Sequence, residues 1–295
     1  MSLTAIARVR RFNRAVTREV GALDTSFLGR GRPLGAARVL TAIGAGERDV
    51  AAIRAHLSLD TGLMSRLLRS LEAEGLIITK AHPEDGRRRT VALTDKGFDE
   101  VAAYDQLSDE RATAILSRHP DREALLTAMD TIATALAGER ITIEMADPES
   151  EAAQSCLSAY YQELDRRFPE GFDVTQSRDP EPEAMRAPRG AFLLAMADGV
   201  PLGCVGVRGA TGGIAEIKRL WVCDGARGFG LGRRLMAEAE ETAEALGIAV
   251  LRLDTHTALP EAAAFYRRAG WQEIEPFNDD PYAKLFFQKR LVAIG

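Results

Sequence analysis

Leu3, Ile6, Val9, Phe12, Val16, Val20 and Leu23 recur at steps of three and four with arginines between them, which predicts an amphipathic helix over residues 3–23. Its apolar stripe is long for a chain terminus and must be covered, either by a partner subunit or by its own domain. After a flexible GRGRPLG stretch, Pro33 to Ile43 and Asp49 to Leu57 read as two short helices, the second with Val50, Ile53 and Leu57 inward. Asp60 stands at an N-cap position. The helix it starts turns Leu63, Leu67, Leu68 and Leu71 inward and Thr61, Ser65, Arg66 and Arg69 outward, and Gly75 ends it. Leu76 to Thr79 and Thr90 to Leu93 flank a Pro83-Glu84-Asp85-Gly86 turn, a β-hairpin pattern with Arg87, Arg88 and Arg89 just past its tip. Two more helical patterns, Phe98 to Arg118 and Asp121 to Leu136, are broken at His119-Pro120.

Near Gly138-Glu139-Arg140 this long helical period gives way to the alternation of Ile141 to Met145. A helix from about Glu149 to Phe168 and a proline-rich, charged loop over residues 169–190 follow. A hairpin of Ala191 to Ala197 and Val200 to Val207 turns at Asp198-Gly199. The β-favouring run Ile214 to Val222 then passes through Arg227-Gly228-Phe229-Gly230-Leu231-Gly232 into a helical stripe, Leu231, Leu235, Ala239, Ala243 and Leu246, within 228–246. Ala249 to Asp254 reads as a buried strand, Pro260 to Ala269 as a helix, and Trp271 to Phe277 and Lys284 to Leu291 as two last strands. The expected organisation is two domains, residues 1–138 mostly α and residues 139–295 α+β with a mixed central sheet.

Length and composition agree with two soluble globular domains: 295 residues, 46% hydrophobic and 27% charged. No apolar run approaches membrane-spanning length and arginines interrupt the first twenty positions, so a cytoplasmic location without membrane association is expected. Cys156, Cys204 and Cys223 have no metal-ligand spacing, and neither a disulfide nor a metal is expected. The net charge of −5 is uneven: Lys and Arg number 20 against 18 Asp and Glu over residues 1–138, but 18 against 25 over 139–295. Only the first half suits a polyanion.

In that half, two short helices and a third with a small, polar and basic outer face make a helix-turn-helix, whose last helix fits a DNA major groove. Arginines at the tip of a projecting hairpin suit a minor groove or phosphates. The motif D-x-R-x-x-x-V-x-L-T-x-x-G is complete from Asp85 to Gly97, and the order of elements resembles the winged helix of the MarR family of transcriptional regulators. The resemblance carries the family's Asp and wing Arg over to Asp85 and Arg87, and with the outward helix face and the hairpin arginines the expected contacts to double-stranded operator DNA come from Thr61, Ser65, Arg66, Arg69, Arg87 and Arg88. It also implies a homodimer whose N-terminal helix pairs with the helices at 98–136 across a two-fold axis, reading a palindromic site. A degenerate winged helix serving only as a dimer platform is the alternative.

In the second half, glycines at alternate positions between a strand and a helix let an anion approach the backbone and the first amides of the helix. Neither the dinucleotide GxGxxG nor the GxxxxGK[ST] loop fits, but R-x-x-G-x-G does. With AAAFYRRAGWQEI near the end, residues 140–292 resemble the GNAT superfamily of N-acetyltransferases. The resemblance implies acetyl-CoA as cosubstrate, its pantetheine along Leu220, Trp221 and Val222 and its pyrophosphate on Arg227, Gly228, Gly230, Leu231, Gly232 and Arg233. It implies Tyr266 as proton donor to the leaving thiolate, and Glu216 is the best single candidate for a general base. Arg167, Asn278 and Tyr282 are candidates for holding a small-molecule amine acceptor, an amino acid being one option. The expected function is a regulator fused to an N-acetyltransferase. The alternative is a regulator whose second domain senses acyl-CoA or an amine without turnover.

Overall fold

The structure, a computed structural model, describes residues 4–81, 89–177, 182–209 and 212–291. It divides by contacts into two compact units, Met1–Pro120 and Asp121–Gly295.

In the first unit, α1 (Ala5–Val20) is capped by the Thr4 side chain and closed by Gly21, and buries none of its residues; Ile6 and Val9 are more than half exposed. Leu23, expected to extend the stripe, lies beyond the Gly21 cap and is exposed. α2 (Leu34–Gly44), α3 (Val50–His56) and α4 (Thr61–Ala73) follow, α3 and α4 each started by an aspartate whose carboxylate accepts from first-turn amides. β1 (Ile77–Ala81) and β2 (Arg89–Leu93) form an antiparallel hairpin, and α5 (Asp95–Leu116) begins under the Thr94 cap, earlier than its apolar pattern. Leu40, Ile43, Ile53, Leu68, Leu71 and Leu76 make the core. Met64, rather than the half-buried Leu63, takes the inner position on α4. Glu100, almost fully buried on α5, is held by Arg30 (2.6 Å) and Arg32 (2.7 Å). Their hydrogen bonds keep its carboxyl below the usual glutamate range.

The second unit starts with α6 (Arg122–Ala137), β3 (Thr142–Met145) and α7 (Glu151–Arg167), the last capped by Ser150. β4 (Ala191–Ala197), β5 (Val200–Arg208), β6 (Ile214–Val222), α8 (Leu231–Ala245), β7 (Val250–Thr255), α9 (Pro260–Arg268), β8 (Gln272–Glu273) and β9 (Leu285–Arg290) complete it. The strands form one sheet in the order β3-β4-β5-β6-β7-β9-β8, antiparallel except for β6 beside β7. β8 is much shorter than the Trp271–Phe277 pattern predicts: it pairs with β9 only at Gln272 and Glu273. The sheet is covered on both faces, which is why Ala191–Ala197 reads as an almost unbroken apolar run. Leu193, Ala195 and Val205 join the core under α8, while Phe192, Leu194 and Cys204 face the core under α7.

The contact boundary at Pro120 falls earlier than the change of period near Gly138, so α6 belongs to the second unit. The reason is local. A Cβ on Gly225 would lie 2.9 Å from the Asp130 carbonyl carbon and the Thr131 nitrogen, so α6 is seated directly on the turn Asp224–Ala226. No described helix is long and apolar enough to cross a membrane.

Candidate functional site

β6 and β7 pair only over Ile214–Glu216 and Val250–Arg252, and beyond this they part. The cause lies on the other edge of β6. Its register against β5 shifts between Cys204 and Gly206, and Arg219 opposite that shift has φ +59°, a left-handed conformation that a non-glycine residue adopts in a strand only at a bulge. The bulge bends β6 away from β7, leaving a wedge at the carboxyl ends of two parallel strands.

Two clefts fill this wedge. They share a wall of Tyr160, Leu164, Leu220, Leu259, Ala262 and Tyr266. One runs past Trp221, Val222, Arg227 and Gly232 toward the start of α8. The other runs past Lys218, Arg219, Asp254 and His256 toward Asp280 and Tyr282. Tyr266, buried on α9, is thus at their junction. Burial, and then the charge of Asp254, push its hydroxyl pKa well above the ordinary tyrosine value, so it stays protonated.

At the start of α8, Gly228 (φ +85°) and Gly230 (φ +79°) hold left-handed turns with open space where their Cβ atoms would be. Gly230 is the N-cap and offers no side chain to the first amides, whereas α3, α4, α5, α6 and α7 are all capped by Asp, Ser or Thr. Uncapped amides at a helix start beside an open glycine turn fit a phosphate group. Leu231 is buried beneath the turn and the exposed Arg233 stands on the first turn of α8. Arg227 is less available than expected: its guanidinium donates to the Val222 carbonyl (2.9 Å) and pairs with Asp224 and Glu163.

Glu163, on α7, was not singled out by the sequence. It accepts from the Trp221 indole (2.9 Å) and pairs with Arg167 and Arg227, tying α7 to the end of β6. Burial works to raise its pKa, but the bonds from Arg227, Trp221 and Arg167 prevail and the carboxyl stays below the usual glutamate range. Arg167 lines the cleft leading to α8 rather than the other, with its charge on Glu163 and Glu261 and a bond to the Ala258 carbonyl. It is not free to meet a carboxylate in the second cleft.

Glu216 lines neither cleft. It pairs with Arg208 (3.3 Å) and Lys218 (3.4 Å) where β6 and β7 are still joined. The carboxylate that does line the second cleft is Asp254, bonded to Lys218 (2.5 Å) and Asn278 (3.0 Å). Asn278 therefore acts by holding Asp254. Tyr282 lines the cleft, and its hydroxyl accepts from the Asp173 amide (3.0 Å), fastening the segment after α7. His256 accepts at Nδ1 from the Ala258 amide (2.9 Å), which leaves the proton of the neutral ring on Nε2. Burial, aided by Lys284, lowers its pKa.

In the first unit, Thr61, Ser65, Arg66 and Arg69 are all exposed on one face of α4, opposite buried Met64, Leu67, Leu68 and Leu71. This leaves one small, polar and basic face of α4 open. The candidates Asp85, Arg87 and Arg88 lie outside the described residues.

A model of the Acetyltransferase (GNAT) family matches residues 157–271. An IAA acetyltransferase of Azospirillum brasilense is 31% identical over 155 residues, which cover 51% of this chain and 98% of that protein. The chain belongs to the GNAT acetyltransferase family. Its N-terminal part carries a MarR family region over residues 30–88, so a MarR-like winged helix and a GNAT acetyltransferase domain share one chain. Among solved structures, a GNAT acetyltransferase of Staphylococcus aureus Mu50 covers 51% of this chain and 100% of its own at 19% identity and a TM-score of 0.44. MepR of S. aureus, solved as a DNA complex, covers 47% and 99% at 20% identity and a TM-score of 0.38.

Proposed function

We propose that this chain is a homodimeric transcriptional regulator that also transfers acetyl from acetyl-CoA to the amine of a small molecule. The observation that carries the enzymatic part is the position of Tyr266 at the junction of two clefts, one running toward the open glycine turn before α8 and the other toward a carboxylate.

Acetyl-CoA supplies an activated acetyl group whose thiolate leaves with a gained proton, while the acceptor amine gives one up. In this reading Gly228, Gly230, Leu231 and Gly232 offer backbone amides to the pyrophosphate, with Arg227 and Arg233 at its flanks. The backbone of Leu220, Trp221 and Val222, freed from β7 by the bulge, aligns the pantetheine and polarises the acyl carbonyl. Tyr266 donates the proton to the thiolate; its raised pKa keeps the hydroxyl loaded. Holding both reactants in adjoining clefts lowers the barrier by several kcal/mol, on the order of the proximity effects seen in intramolecular reactions. Asp254 replaces Glu216 as the carboxylate that meets the amine, because of these two it is Asp254 that lines the cleft.

For the first unit we infer that Thr61, Ser65, Arg66 and Arg69 enter a DNA major groove, with Arg87 and Arg88 on the adjoining groove or phosphates. The apolar stripe of α1, with Ile6, Val9, Phe12, Val16 and Val20 exposed in the single chain, supports a second copy as its cover. The test is release of free CoA by the full chain against a panel of amines. Turnover dependent on one of them supports the enzyme, and acetyl-CoA binding without turnover on any amine favours a sensor domain.

A further inference from the structure

We propose that the acceptor is a primary alkylamine whose short chain ends in a flat aromatic ring, a deepening that rests on reading the second cleft as the acceptor site. Besides Tyr160 and Tyr266 of the shared wall, five rings line that cleft: Tyr161 on α7, Phe168 and Phe172 just after it, His256 just past β7 and Tyr282 before β9. They touch one another in series. Tyr161 stacks on Phe172 at 5.7 Å, Phe172 meets Tyr282 at 4.8 Å and the edge of Phe168 at 5.9 Å, and Phe168 lies 4.2 Å from His256. Such rings pack inside ordinary cores, but these border an opening. A planar ring entering beside them gains offset or edge contacts of about 0.5–1.5 kcal/mol each beyond the area it buries, which a saturated group of equal bulk does not.

The charge in the same cleft selects the other end of the molecule. Both bonds to Asp254 from described residues, from Lys218 and Asn278, fall on Oδ2, and Oδ1 accepts none among the described residues. The charge of Lys218 is already shared between Asp254 and Glu216. A second carboxylate, Asp280, is buried in the cleft wall and bonded to Ser177 and the Tyr282 amide. An ammonium finds an oxygen at Asp254 and a ring wall beside it. An aryl carboxylate lacking the amine forgoes that contact and meets Asp254 and Asp280 beside the cations Lys218 and Arg219.

Three probes on the full chain test this: 2-phenylethylamine, 2-cyclohexylethylamine and phenylacetate, each followed by calorimetry and the amines also by CoA release. The aromatic amine is expected to bind about tenfold more tightly than its saturated counterpart, and phenylacetate more weakly than the aromatic amine. Tyr161→Leu, which keeps apolar bulk, should shrink that preference without weakening the saturated amine. Asp254→Asn should weaken both amines about tenfold. Equal affinity for the two amines, tighter binding of the saturated amine, or no binding of either overturns the inference whatever the turnover. Ring-selective binding without CoA release from any amine overturns the acetyltransferase reading and leaves this inference standing.

Discussion

Lys218 and Asp254 meet at 2.5 Å across the wedge, two residues beyond the last backbone pair of β6 and β7, Glu216 and Arg252. Where the ladder ends, a side-chain ion pair continues the connection. Both side chains are nearly buried, at 11% and 14% exposure, so removing one charge strands the other. Lys218→Met is expected to cost about 3 kcal/mol in urea unfolding, at the low end for breaking a buried pair because neither group is fully enclosed. The double variant Lys218→Met/Asp254→Leu should recover most of it. A single variant as stable as the parent would mean that the pair does not brace the wedge.

Tyr266→Phe should lower kcat on the order of 10²-fold while leaving acetyl-CoA affinity unchanged, because a proton donor acts in the reaction and not in binding. Since burial raises the pKa of this hydroxyl above the ordinary value of 10.0, deprotonation of Tyr266 should produce no alkaline fall in kcat below pH 10. Unchanged kcat in the phenylalanine variant would assign Tyr266 to packing alone.

His256 gives a pH dependence of stability. Its folded pKa is depressed below 6.5, chiefly by burial, so the unfolded chain binds the extra proton more readily. Its contribution is therefore complete above pH 6.5 and declines as pH falls through the depressed value. Denaturation midpoints should fall across that acid window less steeply in His256→Gln than in the parent, and parallel profiles would remove His256 from the account.

Substituting Ser65 or Arg66 should change which duplexes are selected from a random pool more than it changes salt dependence, since base contacts specify and phosphate contacts position. Selection that recovers no two-fold motif would leave the winged helix as a dimer platform. If the acceptor amine biases the DNA-competent arrangement, saturating amine should shift operator affinity by roughly 5–150-fold in fluorescence anisotropy, and operator must shift amine affinity equally.

The Asp60 cap, the glycine turn before α8 and the exposed face of α4 were legible because each depends on residues near in sequence. The site's other parts depend on partners distant in the chain. Glu216 and Asp254 are both carboxylates on strands, and only the parting of β6 and β7 decides that one faces a cleft and the other an ion pair. Glu163 lies within an amphipathic helix, and its role appears only when Trp221 and Arg227 arrive from β6 and the loop beyond it. Likewise the periodicity of α6 ran on from the first half, and nothing nearby in sequence marks the close approach at Gly225 that seats it on the second unit.

Whether the wedge is an acetyl-transfer site served by the glycine turn is decided by quantifying N-acetylated amine and free CoA in one reaction by mass spectrometry, for the parent and Gly230→Asp. The substitution strains a backbone at φ +79° and sets a carboxylate beside the phosphate position without a clash in the folded chain. The parent is expected to yield one acetylated amine per CoA released, and a folded Gly230→Asp neither product. CoA released without acetylated amine, or undiminished product from the variant, would contradict that assignment.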